Sequence, residues 1–183
     1  MSPFLPAPSA TFLGSAVLGS NATTIGPVIF GPGWGYLYVY HYIAGYTGGD
    51  IALLRLGTAT TVDTGTNYSS YATLLGASTV TSTALSSTSG IKVAQDTTTN
   101  ARRGHHEIFN GTGTGFNKFV DSRTLTYSAQ NPTAASTITS QSIVTGTWFN
   151  TAQAQCVGLF GGLAGASLLT GSFISVYGIP GTG

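Results

Sequence analysis

The chain has 183 residues, enough for one domain whose core needs neither disulfide nor metal. Charged residues make up only 6% while 42% are hydrophobic and 11% aromatic, which excludes a disordered chain. A formal net charge of +1 leaves little long-range attraction for nucleic acid or an anionic membrane, and a lone cysteine, Cys156, rules out an intrachain disulfide or a thiolate metal cluster.

Residues 1–10 form an extended arm in this reading. Pro3, Pro6 and Pro8 fix φ and remove backbone donors, and they interrupt any signal-peptide core, which also lacks a basic flank. Phe4 and Leu5 are the arm's expected anchors on a neighbouring chain. Residues 11–183 then make one β-sandwich domain, because glycine and proline punctuate the sequence every eight to twelve residues.

Strands are predicted at 11–18, 25–30, 36–43, 51–56, 71–75, 78–85, 91–95, 105–109, 116–127, 136–144, 154–160 and 172–179. No long window carries a convincing helical period. About 8–11 antiparallel strands without a helix point to a jelly-roll-like sandwich.

The strand at 36–43 is the clearest. Side chains alternate along a strand, so Tyr36, Tyr38, Tyr40 and Tyr42 share one face and Leu37, Val39, His41 and Ile43 the other. The aliphatic face suits the core. Four tyrosines in a row suit a protein interface, a platform that stacks on sugar rings, or internal packing between sheet and loops.

Further along, Arg55 shares a strand face with Ile51 and Leu53, and a half-buried guanidinium needs acceptors for its donors. Asp63, in a glycine-containing turn, is the expected ion-pair partner, with Asp50 the competitor, and the pair is structural rather than catalytic.

The run Arg102-Arg103-Gly104-His105-His106-Glu107 holds the densest titratable chemistry. Adjacent histidines on a strand point to opposite faces, and His105 with Glu107 supplies two ligands where zinc wants three or four. No metal, cofactor or catalytic residue is therefore expected, and Arg102 and Arg103 read as a solvated loop bonding to a neighbouring subunit or another acidic partner surface. The glycine-rich run at 111–115 lacks the lysine and helix of a phosphate loop, and no Gly-x-Ser-x-Gly elbow is present, so an ordinary hydrolase or oxidoreductase is not expected.

The apolar segment 156–179 is long enough to span a bilayer, but six glycines and strand-like residues argue against a span and place Cys156 in the core. All eleven charges lie between Asp50 and Arg123. Two neutral flanks are unusual for an isolated soluble domain and suggest surfaces covered by partners.

Four stretches of this sequence, YLYVYHYIAG, DIALLRLG, VDTGTNYSSY and the ending GSFISVYGIP, resemble jelly-roll virion proteins of tailed phages. In that group a Leu-x-Leu-Arg-Phe-Asn strand precedes an Asp-Thr-Gly-x-Asn-Tyr turn, and the chain ends on Gly-Ser-x-Ile-x-Val-Tyr-Gly-Ile. Arg55 matches the strand arginine, Asp63, Asn67 and Tyr68 the turn, and Gly171, Tyr177, Gly178 and Ile179 the ending; Leu56-Gly57 departs from the group's Phe-Asn. The resemblance covers about a third of the chain. It implies a homotrimeric capsid decoration or cement protein on the phage head, contacting the major capsid protein or other virion proteins. The alternative is a tail- or head-surface module recognising host glycans.

Overall fold

A computed structural model describes residues 9–48, 52–76, 79–93, 99–110, 117–130, 137–161 and 166–181. The expected anchors Phe4 and Leu5, and the candidate carboxylate Asp50, lie outside them. Thirteen strands follow in chain order: β1 (Thr11–Val17), β2 (Thr24–Ile29), β3 (Trp34–Ile43), β4 (Leu53–Thr58), β5 (Thr61–Val62), β6 (Tyr68–Gly76), β7 (Val80–Thr88), β8 (Ile91–Lys92), β9 (Arg102–Phe109), β10 (Lys118–Tyr127), β11 (Ile138–Trp148), β12 (Cys156–Phe160) and β13 (Phe173–Pro180). Twelve of them fall on the twelve predicted stretches, the one at 91–95 shrinking to the two-residue β8, and only the two-residue β5 was not expected.

The chain is all-β, and its pairing is nested. β1 pairs with β13, β2 with β12, β3 with β9 and β4 with β8, each antiparallel. First with last and second with next-to-last is one long hairpin rolled up. It is closed by β13 pairing with β3 and β12 with β4, the jelly-roll arrangement. Two excursions enlarge it. The β6–β7 hairpin and the β10–β11 hairpin leave the roll and add to one sheet only. That sheet reaches eight strands, β1-β13-β3-β9-β10-β11-β6-β7, against a five-stranded partner built from β2-β12-β4-β5 with β8 on β4.

The core lies between the sheets, because each inward side chain alternates with an outward one. On β3 the inward set is Leu37, Val39, His41 and Ile43, all buried, as the alternation predicts. Leu54, Leu56, Val157 and Leu159 face them from the smaller sheet. Burying such side chains stabilises by roughly 1.5–3 kcal/mol each. Segment 156–179 becomes β12, a connection and β13, and no helix among the described residues is long and apolar enough to cross a membrane.

β13 is paired on both edges, and its apolar ending suggests cover on both faces, but among the described residues only one face is covered. Ile174 and Val176 are buried while Phe173, Ser175 and Tyr177 remain half-exposed. The same holds for β3, whose tyrosines all point away from the core, Tyr36 and Tyr40 exposed and Tyr38 and Tyr42 half-buried.

Candidate interaction face

The outward face of the eight-stranded sheet can be read off the strand registers as four parallel rows. One row runs Val17, Phe173, Tyr42, Arg103, Leu125 across β1, β13, β3, β9 and β10. The next runs Ser15, Ser175, Tyr40, His105, Arg123, and the third Phe12, Tyr177, Tyr38, Glu107, Asp121. The fourth is Ile179, Tyr36, Phe109, Phe119. Three of the strands, β1, β13 and β3, therefore present mainly rings. Phe12 packs 5.4 Å from Tyr177, which meets Tyr40 edge-on at 5.8 Å, and Tyr36 meets Phe109 edge-on at 5.3 Å. Phe12 and Phe119 are more than half exposed, at 56% and 57%, with no second layer of described residues over them. A shallow groove of about 900 Å³ runs over this region, walled by Tyr38, Tyr40, Phe173 and Tyr177 with Arg103 at its rim.

The remaining two strands, β9 and β10, carry charge. Among the described residues every exposed charged side chain sits here: Arg103, Glu107, Asp121 and Arg123. Glu107 lies directly opposite Asp121, and His105 opposite Arg123. His105 Nε2 is 3.9 Å from Glu107 Oε1, the one basic–acidic side-chain pair within ion-pair distance among the described residues.

Arg102 does not belong to this face. The expected loop is the strand β9, and its first residue points inward, fully buried, donating to the Tyr46 hydroxyl at 2.6 Å with its guanidinium 4.7 Å from that ring's centre. It is a core residue, not an interface one. Arg103, one step along, points outward and is exposed, as the alternation of a strand requires.

Arg55 and Asp63 also part from expectation. No ion pair forms between them. Arg55 donates from Nε to the Ser89 carbonyl at 2.5 Å and from Nη2 to the Ser89 hydroxyl at 3.0 Å, and its guanidinium lies 4.1 Å from the centre of the Phe160 ring. Carbonyl, hydroxyl and ring thus do what a carboxylate was expected to do. Asp63 accepts from the Gly65 N–H at 2.8 Å, the Asn67 amide at 2.9 Å and the Trp148 indole N–H at 2.8 Å. Burial alone would raise its pKa; those three hydrogen bonds, with the Arg55 charge in range, bring it below the ordinary carboxylate value. Both residues are structural.

The two histidines flanking the charged strip were told apart correctly by alternation. His105 faces out and His106 in. Sequence reasoning did not bring His41 to His106, however. Their rings lie 5.0 Å apart between the sheets, both fully buried, and none of the four ring nitrogens has a hydrogen-bond partner. Burial, then the neighbouring His106, Arg102 and His105, hold the His41 pKa well below its ordinary value; burial and His105 bring His106 down to about 3.

Nothing among the described residues gathers three His, Cys, Asp or Glu side chains for a metal ion. Cys156 is buried with its thiol pushed up to about 11 by desolvation, which makes it a poor nucleophile. The face thus offers shape, rings and mixed charge for binding. No protein-family model, curated protein or solved structure matches the chain.

Proposed function

We propose that the chain is a structural protein of a tailed-phage particle, a capsid decoration or cement protein that bridges subunits on the head. The observation that carries this reading is the outward face of the eight-stranded sheet, a broad aromatic surface that no layer of the described residues covers. Monomeric proteins rarely leave so much contiguous apolar surface open, and such faces mark contact sites. The sequence likeness to phage jelly-roll proteins supplies the setting, and the neutral flanks supply surface suited to subunit contact.

Copies per particle decide the matter. Quantitative mass analysis of purified virions should find the chain in hundreds of copies and lost together with head stability. Absence from the particle sinks the reading. A few copies per particle favours the second reading, a glycan-recognising module, for which the ring-walled groove with Arg103 at its rim is the supporting feature.

A further inference from the structure

We propose that a second copy of this chain docks on the outward face of the eight-stranded sheet, sheet against sheet about a two-fold axis, with Arg123 of one copy set against Asp121 of the other. The proposal goes beyond the function above and does not depend on a place in a virion.

Charge is the first ground. The strip on β9 and β10 holds two arginines and two carboxylates, so its formal charge sums to zero with neutral histidine. Equal numbers of both signs make a patch complementary to itself, which a patch of one sign never is. Within a single chain the arrangement is poor. Glu107 faces Asp121 across the strands, and like charges placed directly opposite destabilise a sheet. Neither Arg103 nor Arg123 has a carboxylate within ion-pair distance among the described residues.

Symmetry is the second. Let the two-fold axis lie in the interface and run across the strands, between the His105–Arg123 row and the Glu107–Asp121 row. Each strand then lies over its own copy with the rows exchanged. Arg123 of one copy falls over Asp121 of the other, and His105 over Glu107. The outer rows exchange too, which lays Arg103 over the Phe109 ring and Tyr42 over Tyr36. One operation sets Arg123 on Asp121, Glu107 on an imidazole and Arg103 on a ring, and isologous contacts of this kind are the commonest in oligomers.

Area is the third. Eight strands about 4.8 Å apart, each about seven residues long, make a face on the order of 800 Å². A standard stable interface takes about 800 Å² from each partner.

The test is sedimentation velocity on the full chain from about 1 to about 100 μM, where a standard interface of this area should already be populated. The expected species is a dimer, or a hexamer if a three-fold contact also exists. Arg123→Asp puts acid over acid and Asp121→Arg puts base over base, so each variant alone should associate at least about tenfold more weakly. Mixed in equal amounts, the two should associate with each other, since every acid then meets a base. Both sites are exposed, and far-UV circular dichroism confirms that the variants fold. A wild-type monomer, a trimer alone, variants that self-associate as wild type does, or a mixture that stays apart each overturns the proposal. A wild-type monomer that instead binds host surface sugars assigns the face to glycan. A monomer present in hundreds of copies on heads would overturn this contact and leave the cement function standing; a dimer never found on particles would do the reverse.

Discussion

Asp63 anchors its corner of the sandwich through three donors that differ in how visible they are in the sequence. Gly65 and Asn67 lie two and four residues on, so a turn held by an aspartate side chain was legible from local chemistry. The Trp148 indole comes from 85 residues away, and only the fold of β11 delivers it. Tyr68 completes the corner from its own hydroxyl, donating to the Leu56 carbonyl at 2.8 Å and stacking on Trp148 at 6.3 Å between ring centres. Arg55, by contrast, is satisfied locally by Ser89, a neutral partner that charge-pairing logic does not look for. The two residues should therefore behave as independent sites. Asp63→Ala strands an indole N–H and should cost about 2–3 kcal/mol, whereas Arg55→Ala should cost about 1–2 kcal/mol. In melting temperature that is about 4–12 °C against about 2–8 °C for a chain of this length. A thermal melt of both single variants and the double checks this: additive losses are expected. A double variant no worse than Arg55→Ala alone would restore the direct ion pair.

At the level of elements, alternation in β3 was enough to assign its two faces, since ten residues hold the pattern without interruption. β9 was harder. Glycine, two arginines and two histidines in eight residues look like a loop, and only pairing on both sides, with β3 and β10, makes a central strand of them. Gly104 is where that pairing leaves its mark. A Cβ there would collide with the backbone carbonyl of Arg123 and sit 2.7 Å from the Thr124 hydroxyl, so the close approach of β10 demands glycine. The nested order and the two hairpin excursions were not legible, because spacing between strands says nothing about which partner each will choose. Gly104→Ala should cost about 2–3 kcal/mol by overpacking. Gly19→Ala, with open space at the same atom, should be nearly silent. Equal melting temperatures for the two variants would mean that β9 and β10 are not held this closely.

On the scale of the molecule, charge is sorted more sharply than the sequence suggested. The confinement of charged residues to one stretch was visible, but their division was not: Lys92, Arg102 and Lys118 go inside, while Arg103, Glu107, Asp121 and Arg123 gather on one strip. The interior also encloses His41 and His106, which makes the fold acid-sensitive. In the unfolded chain each imidazole takes up a proton near its ordinary pKa of 6.5; in the folded chain His106 resists until about pH 3, and His41 until well below 6.5. The unfolded state then binds more protons, so stability is full above 6.5 and falls as the pH drops through that value. Arg102 and His105 lie close enough to sharpen the effect by repelling a proton on His41. At pH 5 His106 alone should already cost about 2 kcal/mol, or about 4–8 °C in melting temperature. The ring nitrogens have no partners to lose, so the double variant His41→Leu/His106→Leu should melt no lower than wild type at pH 7 and shift little between pH 7 and pH 5. Melts of both proteins at the two pH values test this. Wild type melting at the same temperature at pH 7 and pH 5 would show that the pair takes up protons without unfolding.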